Sequence, residues 1–214
     1  MSLENLENLA PLLADPSPID QELARRHLED FIRYTFPTYD FGWFNEELSE
    51  TLTQFVKDVV DGKQPRLMIF APPRSGKSEQ VSRRLPAWAL GKYPNLQIIA
   101  TSYSSSLASR MNKDVQKIID SDLYADIFPN TKLNGRNAKS GATRNSELFE
   151  IVDNDGSYRS AGVLNGITGM GADIGIIDDP VKDAKEAGSK VYRNSVYEWY
   201  TLSLIHISEP TRPY

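Results

Sequence analysis

The sequence predicts an α/β chain, a mostly parallel sheet flanked by helices with an inserted β-hairpin. Three observations carry that expectation. Short apolar runs at Leu67–Phe70, Gln97–Thr101 and Ile174–Ile177 alternate with segments whose apolar residues recur at helical spacing. The first run feeds a turn-forming loop ending in Gly76-Lys77-Ser78. The third ends in two adjacent carboxylates, Asp178-Asp179, followed by Pro180.

Taken in order, leucines at positions 3, 6, 9, 12 and 13 suggest a short helix before the Asp15-Pro16-Ser17-Pro18 linker. Ile19 to Tyr34 reads as a helix that Phe36-Pro37 breaks. Tyr39, Phe41, Trp43 and Phe44 form an aromatic cluster, read as core rather than as a ring flanking an adenine. Phe44, Leu48, Leu52, Phe55, Val56, Val59 and Val60 predict an amphipathic helix over 44–61, closed by Gly62. Leu67–Phe70 predicts a buried strand. Lys77 to Leu90 predicts a helix that Pro86 must kink or split.

Gln97–Thr101 predicts a second strand, and Leu107, Met111, Val115, Ile118 and Ile119 a helix after it. Leu148–Val152 and Ser157–Val163, joined by Asp153-Asn154-Asp155-Gly156, predict the hairpin. Residues 165–171 are glycine-rich, a flexible connection ahead of the Ile174–Ile177 strand. A final helix is expected from Ala187 to Tyr200, with Val191, Val196 and Trp199 inward.

Composition narrows the function. The chain has 214 residues, no cysteine and two histidines, which excludes disulfides, cysteine-based zinc sites and a histidine-rich metal centre. No run of about eighteen apolar residues predicts a membrane span, and the N-terminus lacks a secretion signal. The net charge of −5 argues against a surface that coats nucleic acid throughout. One local basic stretch remains: Lys132, Arg136, Lys139 and Arg144 lie in an acid-free run from Ile127 to Ser146. It reads either as a solvated loop or as a contact for phosphates.

The chemistry concentrates in two places. Ala71 to Ser78 follows G-x-x-x-x-G-K-[ST] with Ala71 in place of the first glycine. Backbone N–H groups of Ser75, Gly76, Lys77 and Ser78 are expected to cradle phosphates, Lys77 to neutralise them and Ser78 to ligate Mg²⁺. Pro73 and Glu79 complete the expected nucleotide-binding segment. Arg74 is either a charge stabiliser for the γ-phosphate or the partner of a nearby acid. Asp178 and Asp179 sit where open parallel sheets bind ligands. Asp178 is expected to hold the Mg²⁺ shell and Asp179 to orient the attacking water, their side chains pointing to opposite sides by strand alternation. Thr101-Ser102-Tyr103-Ser104-Ser105-Ser106 is expected to cap the next helix, with a nucleic-acid or coupling role left open.

The run Leu67–Glu79, the stretch Gln97–Ser121 and above all residues 167–183 resemble the large subunit of tailed-phage terminases, over about Phe36 to Tyr200. Pro-Pro-Arg-x-Gly-Lys-Ser combined with Ile-Ile-Asp-Asp-Pro is more specific than either part. The resemblance implies a P-loop NTPase of the ASCE type that uses ATP and Mg²⁺ to package double-stranded DNA. It further implies a homo-oligomeric ring docked on a portal protein, with a small terminase subunit, in the host cytoplasm during phage assembly. Carried onto this chain, it implies phosphate binding by Gly76, Lys77 and Ser78, catalytic roles for Arg74, Lys77 and Asp179, and a metal role for Asp178. Two positions depart from the family pattern: Asp179 stands where many terminases have Glu, and Met170 where a basic residue is frequent.

The expected organisation is a helical segment and linker over 1–35, an ATPase domain over 36–201 and a non-native tail over 202–214. The ATPase domain is read as truncated, without a coupling strand or a nuclease domain. Two rivals remain at this stage: a helicase-like nucleic-acid-dependent ATPase, and a non-catalytic nucleotide-binding fragment.

Overall fold

A computed structural model describes residues 17–135, 141–165, 167 and 171–204. The expected helix over the first leucines, Arg136, Lys139, most of the glycine-rich stretch and most of the 202–214 tail lie outside the described residues.

Two helices, α1 (Pro18–Arg26) and α2 (Leu28–Thr35), occupy the expected first helical span. Ser17 caps α1 by accepting the Asp20 N–H, and extended backbone at His27 separates the pair. Helix α3 (Trp43–Val60) matches its amphipathic pattern and buries Leu48, Leu52 and Val56. Lys77 then opens α4 (Lys77–Glu79), which passes through a π-helical turn (Gln80–Arg84) into α5 (Leu85–Lys92). Proline 86 explains the split: it offers no N–H to the Ser82 carbonyl, and the Leu85 N–H reaches back five residues to Gln80.

Strand β1 (Gln97–Ser102) leads to α6 (Ser105–Ile119), capped as expected by Ser104, and to a short α7 (Asp122–Ile127) that the apolar pattern did not signal. Strands β2 (Leu148–Glu150) and β3 (Ser157–Gly162) form the hairpin, and β4 (Ile174–Asp178) precedes α8 (Ala184–Gly188) and α9 (Lys190–Leu204). The sheet order is β2-β3-β1-β4. Strand β1 runs parallel to both β3 and β4, and only β2 is antiparallel. The hairpin is therefore not an appendage, because its second strand is a member of the main sheet.

Register sorts the side chains onto two faces. Ile98, Ala100, Tyr158, Ile174 and Ile176 join the main core with α1–α3, α5 and α6. Within it Trp88 donates to the Ala24 carbonyl at 3.0 Å and Tyr124 to the Ala87 carbonyl at 2.9 Å. Ile99 and Val163, with Ile177 packed against them, meet Ile167 and, from α9, Val196 and Trp199 on the opposite face. Helices thus cover both faces, as a parallel sheet requires. Val191 departs from its expected inward position and is 77% exposed, because α9 touches the sheet only near its middle.

The largest departure concerns Leu67–Phe70. These residues belong to no strand among the described residues. Ile69 packs against the main core, while Met68 is 82% and Phe70 88% exposed. A cleft of about 610 Å³, lined by Ile69, Phe70, Ala71, Pro72, Lys77, Ile177, Asp179 and Pro180, lies between this segment and β4. A strand needs a hydrogen-bonded neighbour as well as an apolar sequence, and here none adjoins it.

Candidate active site

The two motifs, about a hundred positions apart in sequence, meet at the cleft. The Lys77 ammonium lies 3.1 Å from Asp179 Oδ1 and 3.5 Å from Asp178 Oδ1. Partial burial opposes the charge on Lys77, but the two carboxylates outweigh it and hold its pKa above the ordinary lysine value. The group is an ammonium throughout the physiological range.

The acids differ in environment. Asp178 is the last residue of β4 and is 5% exposed. Ser82, fully buried in the π-helical turn, donates its hydroxyl to Asp178 Oδ2 at 2.8 Å. Asp179 is 62% exposed in its side chain and adopts φ 46°, a left-handed conformation that Asp tolerates better than most residues. The Tyr103 N–H donates to the Asp179 carbonyl at 3.1 Å, tying the end of β1 to this turn. Strand alternation alone would aim the two carboxylates apart. The left-handed turn re-aims Asp179, so both reach one ammonium.

The loop side uses two left-handed residues, Arg74 (φ 64°) and Gly76 (φ 84°). Ala71 is not among the positive-φ positions, which is why alanine serves where the consensus has glycine. A Cβ on Gly76 would fall 2.0 Å from the Tyr39 hydroxyl and 2.8 Å from Asn45 Nδ2, so this glycine is required by both conformation and space. Arg74 is exposed and forms no ion pair among the described residues; Asp178 and Asp179 are taken by Lys77. Ser78 is half-buried in the first turn of α4. Glu79 instead accepts from Arg84 Nε at 2.8 Å and Arg83 at 3.3 Å, facing arginines of its own helix.

The donor set near the cleft is hard oxygen, a hydroxyl at Ser78 and a carboxylate at Asp178, which fits Mg²⁺. The Lys77 ammonium already places a positive charge against these acids. No group of three or more His, Asp or Glu residues that could hold a metal occurs among the described residues. A cation here would be held by one or two protein oxygens plus a phosphate ligand and water, the usual magnesium arrangement.

Sequence reasoning missed Ser82, Asn45 and Gln80. Ser82 had a signal, lying one helical turn beyond Ser78. Asn45 and Gln80 had none, since their contacts arise from tertiary packing. Of the basic stretch, Arg144 is held within the chain by Asp120 and by Gln116 at 2.9 Å, while Lys132 is exposed.

A family model described as "Terminase large subunit, T4likevirus-type, N-terminal" matches residues 68–214, a span holding both Lys77 and the paired acids. The chain belongs to this family. No curated protein matches it in turn. For a terminase large-subunit domain, the meeting of Lys77 with Asp178 and Asp179 is the feature with most chemical consequence, and it is consistent with a role in a DNA-packaging motor.

Proposed function

We propose that the chain is the ATP-hydrolysing motor domain of a terminase large subunit, a P-loop NTPase of the ASCE type that drives double-stranded DNA into a capsid. The single observation that carries this reading is the convergence of Asp178 and Asp179 on Lys77, with Lys77 and Asp179 lining one cleft beside a glycine-containing loop. Helix α4 begins at Lys77, so the N–H groups of the preceding turn are free of intrahelical partners and available to an anion.

In hydrolysis, Lys77 exchanges its carboxylates for the β- and γ-phosphate oxygens. Ser78 and Asp178 would hold Mg²⁺, which would neutralise charge on the phosphate oxygens. Asp179, the exposed acid, orients a water and accepts its proton as the water oxygen bonds to the γ-phosphorus. The bond from that phosphorus to the bridging oxygen breaks, and ADP leaves. Arg74, exposed and on the loop, stabilises the charge that spreads over the transferring group. The expected partners are double-stranded DNA, a portal protein, a small terminase subunit and further copies arranged as a ring.

The test is phosphate release from ATP by the chain with Mg²⁺, measured with and without double-stranded DNA. Release that DNA stimulates is the expected result. Nucleotide binding without release would reduce the chain to a non-catalytic binding module.

A further inference from the structure

The proposed nucleotide site has an upstream support that neither loop motif contains. Asn45 lies in the first turn of α3, is 8% exposed, and turns its amide toward the phosphate loop. Its Nδ2 donates to the Ser75 carbonyl at 2.9 Å and to the Tyr39 hydroxyl at 3.0 Å, while its Oδ1 accepts the Gly42 N–H at 3.2 Å. Tyr39 in turn donates to the Gly76 carbonyl at 3.4 Å. Burial pushes its hydroxyl pKa up, so the donor is retained. Gln80, fully buried, backs the pair by donating to the Asn45 carbonyl at 3.2 Å and accepting from Ser49 at 3.3 Å.

The consequence follows from peptide geometry. A trans peptide carries its C=O and the following N–H in opposite directions. Holding the Ser75 carbonyl against Asn45 therefore aims the Gly76 N–H away from α3. Holding the Gly76 carbonyl against Tyr39 does the same for the Lys77 N–H. These are two of the donors a phosphate would need. The close fit of Gly76 beneath Tyr39 and Asn45 leaves the loop little freedom to rotate either peptide.

We infer that Asn45 and Tyr39 are positioning residues that fix two peptides of the phosphate loop with their N–H groups facing the triphosphate. The inference rests on the nucleotide-site reading above and adds to it a specific source of preorganisation. Affinity for the triphosphate should depend on the Asn45 amide nitrogen, although that atom touches no phosphate.

The experiment titrates the full chain with a fluorescent ATP analogue and Mg²⁺, and follows thermal unfolding of the same samples without nucleotide. Asn45→Asp keeps the size and the acceptor for Gly42 but sets a carboxylate oxygen against the Ser75 carbonyl. Tyr39→Phe removes only the hydroxyl and guards against a variant that fails to fold. The expected result is an affinity loss of about tenfold or more in Asn45→Asp and about threefold in Tyr39→Phe, corresponding to about 1.4 and 0.7 kcal/mol. Tyr39→Phe should stay folded and melt within about 4 °C of the wild type, the shift expected for losing about 1 kcal/mol of hydrogen bonding. Lys77→Ala separates the two levels. If the wild type binds, Lys77→Ala does not, and both upstream variants bind as the wild type does, the positioning inference is wrong and the site survives. If wild type and Lys77→Ala bind alike, or neither binds, the site reading falls and takes the inference with it.

Discussion

Two apolar runs deliver the two halves of the site, and they reach it by different means. Ile174–Ile177 is a strand, paired along its length with β1, and brings Asp178 and Asp179 to the end of the sheet. Leu67–Phe70 joins no strand among the described residues, with Met68 and Phe70 in solvent, and brings the Ala71–Ser78 loop to the same place. The acids are placed by backbone pairing and by the buried Ser82 hydroxyl. The loop is placed by side chains of another helix, Asn45 and its neighbours. Equal apolarity thus does not mean equal structure, because a strand also needs an adjoining edge for its N–H and C=O groups.

A large effect is expected at the acid half. Asp178→Ala should lower ATP turnover by about 10²–10³-fold, the usual loss for removing one preorganised charged group, read as phosphate release at saturating ATP. The next effect contrasts the runs themselves. Ile176→Ala should cost about 2–4 kcal/mol in urea unfolding, as for a buried aliphatic side chain. Phe70→Ser should stay within about 0.5 kcal/mol, since that ring is almost wholly exposed. A large loss from Phe70→Ser would mean that the ring is buried in solution and that the runs are more alike than described.

Smaller effects come from two tyrosines in the main core. Tyr124→Phe removes a hydrogen bond to Ala87 and should cost about 1 kcal/mol. Tyr158→Phe removes a buried hydroxyl that has no partner among the described residues, and should be neutral or stabilising by up to about 1 kcal/mol in the same urea assay. Burial raises the pKa of both above the free value of 10.0. The folded chain therefore holds them protonated while the unfolded chain ionises. Their contribution to stability is complete below about pH 10 and is lost progressively as pH rises beyond it. Urea midpoints should fall above pH 10 in the wild type and fall less steeply in the double Phe variant.

Much of this was legible in the sequence for reasons that can be named. Helix α3 showed because one face repeats over five turns, and the hairpin because Asp153 and Gly156 supply its turn. The meeting of Lys77 with the two acids followed from the rule that ligands bind at the carboxyl ends of parallel strands. The rest depended on information that pattern does not hold. Helix α7 is too short for periodicity to mark. The unpaired state of Leu67–Phe70 depends on what lies beside it, and the shared aim of Asp178 and Asp179 on one left-handed residue. Asn45 looks like any other polar residue of an amphipathic helix until the loop is folded against it.

In the proposed reaction the Lys77 ammonium, resting between Asp178 and Asp179, is the group that takes up the triphosphate. Release of radiolabelled phosphate from ATP by the wild type and by Lys77→Ala, both checked for folding by far-ultraviolet circular dichroism, tests it most directly. Turnover is expected from the wild type and none above background from the variant. A folded Lys77→Ala that hydrolyses ATP at the wild-type rate would contradict it.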